Sequence, residues 1–170
     1  MNISMYQASV PHFIHMLNNL KHLLEKASIQ ADTKKWDASV LVNDRLYPDM
    51  FPLSRQVQIA CDMAKGCGAR LAGVEAPKFE DNETTLSDLI NRIDKTIAFL
   101  KTLTPTQIDG SEQKPIHFKI KEYEFNFNGL DYLLNWSIPN VYFHITTTYN
   151  ILRHNGVELG KQDFLKGSQI

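Results

Sequence analysis

The chain has 170 residues, enough for one domain with a substantial core, and its 43% hydrophobic and 22% charged residues are ordinary for a soluble globular protein. A net charge of −1 without a basic stripe argues against nucleic-acid binding, since Lys34-Lys35 is the nearest approach to one and reads as a solvated turn. No run reaches the ~18 apolar residues of a membrane span, and MNISMYQASVPHF lacks the basic start and apolar stretch of a signal peptide, so a cytoplasmic protein is expected.

In SMYQASVPHFIHMLNNLKHLLEKA, the residues Tyr6, Val10, Phe13, Leu17, Leu20 and Leu24 recur at spacings of three and four, which predicts an amphipathic helix. It is expected to start near Ser4 and bend at Pro11, because Tyr6 and Val10 already belong to the stripe. WDASVLVNDRL predicts a short helix, and YPDMFP a turn. PLSRQVQIACDMAKGCGARLAGV is a second long helix, with Pro52 in its first turn and Gly73 at its end. Its small residues Gly66, Gly68 and Ala69 permit close approach by a neighbour. Cys61 and Cys67 lie about 1.7 turns apart, so no disulfide is expected between them and both read as small core or interface residues.

In TTLSDLINRIDKTIAFLKTL, Thr85 and Asp88 form a variant capping box ahead of the stripe Leu86, Leu89, Ile93, Ile97 and Leu100. The period then changes to two. Ile116, Phe118 and Ile120 alternate with polar residues, as do Tyr123, Phe125 and Phe127, which predicts a β-hairpin. After Gly129, LDYLLNWSIPNVYFHITTTYNILRHNG predicts the last long helix, kinked at Pro139 and closed by Gly156. Leu159, Phe164 and Leu165 in the tail are available to dock. With neither repeat nor linker, residues 1–170 read as a single domain: all-α, a four-helix bundle with a small β-hairpin between the third and fourth helices.

Buried polar positions are where chemistry is sought, because an unpaired polar group is costly to bury. Asn140, His144 and Thr148 form an i, i+4, i+8 seam on the last helix, beside Trp136. Gln58 and Asp62 are four apart on the second long helix, with Arg55 one turn earlier. If the two helices face each other, Asp62 and His144 meet, and both are legitimate ligands of a divalent metal. The alternative is a metal-free polar seam in which one histidine bonds one carboxylate. His12 and His15 read as rim residues, and His22, His117 and His154 as solvated or capping. No nucleophile elbow, phosphate-cradling loop or H-E-x-x-H is present. The threonine run Thr146, Thr147 and Thr148 reads as helix packing with back-bonds to carbonyls. Tyr132, Trp136, Tyr142 and Phe143 wall either a core or a pocket beside Pro139.

The stretches RLYPDMFPLSRQVQIACDMAKGCGARLAGVEAP and NVYFHITTTYNILRHNGVELGKQDFLKG resemble an uncharacterised bacterial family, domain of unknown function nineteen-ninety-three, within the DinB/YfiT-like superfamily of metalloenzymes. The resemblance covers nearly the whole chain. It implies a four-helix bundle, a homodimer, and a nickel- or zinc-like ion held by three histidines, one on the second helix and an H-x-x-x-H pair on the last. It also implies thiol-dependent transferase or hydrolase chemistry. Here Asp62 stands near the expected second-helix histidine, and Thr148 replaces the second histidine of the pair. The expectations are therefore two. One is a DinB-like transferase or hydrolase with an altered zinc or nickel site at His144 and Asp62, with Arg55, Gln58, Trp136, Asn140 and Thr148 lining the ligand pocket. The other is a metal-free small-molecule-binding module or a dimeric interaction module, joined through Gly66, Gly68 and Ala69.

Overall fold

The computed structural model describes residues 3–167, which are mostly helical with one small hairpin. Helix α1 runs Met5–Lys34. It starts where the sequence predicts, because Ser4 and Gln7 form a reciprocal capping box: Ser4 Oγ accepts from the Gln7 amide at 3.3 Å, and Gln7 Oε1 from the Ser4 amide at 3.1 Å. Pro11 lies inside this helix rather than at its start. A short α2 (Ser39–Asn43) and a turn lead to α3 (Leu53–Ala72), which Gly73 ends at φ +75°, the left-handed cap that glycine adopts without strain. Helix α4 (Leu86–Leu100) begins at the Thr85–Asp88 capping box. A single turn, α5 (Pro105–Ile108), follows it; no period announced so short an element.

Strands β1 (Pro115–Ile120) and β2 (Tyr123–Asn128) pair antiparallel, with Phe118 opposite Phe125 and Ile116 opposite Phe127. All the apolar residues of both strands therefore share one face. That face packs on the last helix: the Trp136 ring lies 4.6 Å from Phe125, 5.7 Å from Phe127 and 5.8 Å from Phe118.

The last helix has three parts. One turn of α6 (Gly129–Asp131) passes into a π-helical segment (Tyr132–Ser137), and then into α7 (Ile138–His154). The widened turn is how the chain accommodates Pro139. Proline has no N–H for the carbonyl four residues back. Instead Ile138 N–H bonds Leu133 O, five back, and the Asn140 side chain caps Trp136 O at 2.6 Å. A kink was expected here, and a π segment is what forms. Such segments are rare and concentrate at functional sites.

Helix α3 is central, touching α1, α4 and α7, and α1 packs on α4 and α7 as well. One cluster of buried apolar side chains, among them Phe13, Leu17, Val57, Leu89, Ile93 and Ile145, draws on every long helix. A final helix, α8 (Lys161–Lys166), docks on α1. Leu159 and Phe164 pack as expected, but Leu165 stays exposed. Gly66, Gly68 and Ala69 do not form an outer face. All three are buried, and a Cβ at Gly68 would stand 2.7 Å from Leu103 and 2.9 Å from Leu100, so Gly68 serves packing inside the chain. No described helix is long and apolar enough to cross a membrane.

Candidate functional site

Helix α3 presents polar groups at both ends. At its start, His144 of α7 is 8% exposed, and its Nδ1 lies 2.7 Å from Gln56 Oε1. The Gln56 amide nitrogen donates to Phe51 O at 3.0 Å, so the amide oxygen is the acceptor and His144 donates from Nδ1. Nε2 then carries the lone pair of a neutral imidazole. Burial, and next the charge of Arg55, push the His144 pKa down to about 4. Thr148 donates to His144 O at 2.9 Å, a back-bond within the helix.

The partner of His144 is thus Gln56, and the expected meeting with Asp62 does not occur. Asp62 faces another neighbourhood. Its Oδ1 lies 3.0 Å from Lys65 Nζ and 3.1 Å from Arg92 Nη2. Arg92, buried on α4, also holds Asp81 at 3.0 Å and Glu83 at 2.9 Å and donates to Glu80 O at 3.1 Å. Gln58 donates to Glu83 at 2.8 Å, and Arg55 bonds both Gln58 Oε1 at 3.1 Å and Asp81. Arg55, Gln58 and Asp62 therefore belong to a charge network that fastens residues 80–83 to α3 and α4. Asn140 is taken up by the π segment.

A bundle metal does not fit this donor set. Asp62 is neutralised by two cations, the position four after His144 is a back-bonded Thr148, and the neighbour of His144 is a carboxamide. Among the described residues, no group of three or more His, Cys, Asp or Glu side chains is arranged to hold a metal ion. A divalent ion needs three such ligands. Three other histidines hold packed elements together, while His117 and His154 are exposed. Tyr142 OH lies 3.1 Å from His12 Nε2, His15 bonds Leu165 O at 3.0 Å, and His22, expected to be solvated or capping, holds Asp163 at 3.1 Å beneath α8. Both cysteines are buried, and burial raises each thiol to about 12, which leaves no thiolate for nucleophilic work.

At the other end of α3 the surface opens into a cleft of about 390 Å³. The segment 76–79 forms one wall, β1 another, and Tyr132 and Trp136 of the π segment its back. Arg70 lies across it, its guanidinium 4.7 Å from the Phe118 ring and its Nη1 2.9 Å from Tyr132 OH. Gly66 makes room for it, since a Cβ there would stand 2.6 Å from Arg70 Nη1. Lys65 reaches in beside Phe79, 4.1 Å from its ring centre. Of these residues, reading the sequence singled out Trp136 as a site residue and placed Tyr132 among possible pocket walls. Arg70, Lys65 and Phe79 were missed, because only the long-range approach of the hairpin and of 76–79 makes them neighbours. Two wider clefts, about 490 Å³ beside Arg92 and about 510 Å³ between α1 and α8, are lined mainly by polar and charged side chains of both signs.

No curated protein matches the chain. A crystal structure of a protein described as a DinB family member, from Shewanella denitrificans, shares 44% identity and superposes with a TM-score of 0.86 over 94% of this chain and 90% of that one. The family model for the domain of unknown function DUF1993 matches residues 5–165. With that match spanning nearly all of the capped helices, the hairpin and the docked tail, the chain belongs to the DUF1993 family and is DinB-like.

Proposed function

We propose that this chain is a DinB-like four-helix bundle that binds a small molecule without a metal, and that its working site is the cleft between the far end of α3, the hairpin and the π segment. The observation that carries the reading is the π segment itself. The widened turn that accommodates Pro139 coincides with the two aromatic side chains, Tyr132 and Trp136, that back the cleft, and such turns are frequent at functional sites. Its volume, about 390 Å³, is in the range of small-molecule sites. The His144 end supports the same reading from the other side, because His144 is held by Gln56 while Arg55, Gln58 and Asp62 are held by the network around residues 80–83.

The chain has two tryptophans, one in the cleft and one, Trp36, in the segment after α1, so the two indole N–H signals form a built-in control. A fragment library followed on those signals should yield compounds that shift Trp136 saturably and leave Trp36 still. Stoichiometric zinc or nickel retained through desalting, and lost in His144→Ala, would replace this reading with the metalloenzyme one.

A second reading rests on a separate observation. Phe51 and Phe143, 56% and 57% exposed, flank the Gln56–His144 bond. An apolar face of this kind closes when a second copy of the chain covers it. Sedimentation of the wild type against Phe143→Glu tests it: a dimer that the substitution turns into monomers supports pairing there.

A further inference from the structure

We infer that the cleft beside Arg70 takes a flat aromatic anion, with an aromatic carboxylate as the ligand class. This rests on the cleft being the working site and names what it selects.

The charge of the lining is the first ground. Lys65, Arg70, Lys78 and Lys119 contribute four cations, against the single carboxylate of Asp62, in a chain whose net charge is −1. Asp62 is already held by Lys65 and Arg92 at 3.0 and 3.1 Å. A cationic ligand would therefore find no free carboxylate in the cleft, whereas an anion would enter a local positive field.

The second ground is the state of Arg70. Its Nη1 donates to Tyr132 OH, and among the described residues the guanidinium makes no other hydrogen bond and no ion pair. Stacking on Phe118 fixes the plane of the fork. An arginine held by its face, with further donors free, suits a carboxylate better than a point charge does.

The third ground is shape. Trp136 supplies a flat wall against which an aromatic body stacks, while Phe118, already stacked with Arg70 and Phe125, fixes the place of the guanidinium beside it. Phe79 closes the opposite side, and the ammonium of Lys65 and the guanidinium of Arg92 lie 4.1 and 5.7 Å from its ring centre. Lys119 is tied only loosely, 3.6 Å from Glu124 at the exposed end of the hairpin. It can turn toward a bound anion.

The test compares two probes of one shape, 2-naphthoate and its neutral analogue 2-naphthamide, titrated into the full chain with the Trp136 and Trp36 indole signals as readout. Naphthoate should shift Trp136 and bind at least ~10-fold more tightly than the amide, as one charge-assisted hydrogen bond provides. Arg70→Gln should remove most of that difference and leave the amide unchanged. Lys119→Gln, at an exposed position that does not threaten folding, should weaken naphthoate alone by about 3-fold, in the range of a solvent-exposed charge pair. Equal binding of both probes at Trp136, unaffected by either variant, overturns the anion class and leaves the cleft as the binding site. A silent Trp136 with both probes, at concentrations that saturate stacking sites, overturns the anion class and the cleft together.

Discussion

The two ends of α3 answer the same problem in opposite ways. At the start, and along the strap at residues 80–83, most buried polar groups have a partner within the chain: His144 with Gln56, Gln56 with Phe51, Gln58 with Glu83, and Arg92 with three carboxylates, although Arg92 Nε itself is buried without one. At the far end, Arg70 has one partner and open donors, and a glycine lies where a side chain would fill the space above it. Saturated polar networks hold structure, because nothing further is gained by adding a ligand. Unsaturated ones beside apolar walls are where a ligand finds both binding energy and orientation. The residues expected to hold a metal thus stand at the end of the helix whose polar groups are largely taken up, while open donors lie at the other.

Two arginines draw the sharpest version of this contrast. Arg92→Leu strips the cation from Asp62, Asp81 and Glu83, and Glu83 is itself mostly buried. Breaking a buried ion network from one side costs about 3–5 kcal/mol, and urea unfolding should show that loss. Arg70→Leu, at an exposed position, should cost under about 1 kcal/mol in the same assay. Equal losses would show that Arg70 is as structural as Arg92 and would dissolve the contrast.

The next effect is a dependence on pH. His144 is folded with a pKa near 4 against an ordinary 6.5. Between those values the unfolded chain binds the proton and the folded chain does not. Stability should therefore be complete above pH 6.5, and should fall by about 3 kcal/mol as pH drops toward 4. His144→Gln, which can still meet Gln56, should flatten that slope across the window. A wild-type slope that persists in His144→Gln would assign the acid sensitivity to the carboxylates of the strap.

Most of the scaffold was legible in the chain. Apolar spacing marked the long helices, Thr85 with Asp88 marked a start, Gly73 an end, and the switch to period two marked the hairpin. The partner of His144 was legible too, and was misread. Leu53, Val57, Ala60, Ala64, Cys67 and Leu71 form the buried stripe of α3, and Gln56 lies on that stripe while Asp62 lies off it. Arg92 is likewise a charged residue inside the stripe of Leu89, Ile93 and Ile97, a signal that it needed buried partners. The cleft was not legible in the same way. Arg70, Phe79, Phe118 and Trp136 come from four separate segments, and no local period links them. Pro139 warned of an irregular backbone, but the π turn depends on which carbonyl the next free N–H reaches, which the packing decides.

The smallest expected change separates fold from site most finely. Gly66 lies within α3, and alanine there gains up to about 1 kcal/mol of helix propensity. Against this, the new methyl would stand 2.6 Å from Arg70 Nη1, and the flexible end of that side chain moves away at little cost. Gly66→Ala should therefore unfold within about 1 kcal/mol of the wild type. The displaced guanidinium loses its bond to Tyr132 OH and its seat on Phe118, so naphthoate binding at Trp136 should weaken while the far end of the helix keeps its His144-dependent pH slope. A glycine kept for helix packing alone would give the reverse: a loss of stability with no change in binding. Gly68, whose Cβ would meet Leu100 and Leu103 in the core, is the neighbour on which that reverse pattern is expected. Two glycines two residues apart thus report separately on the cleft and on the core.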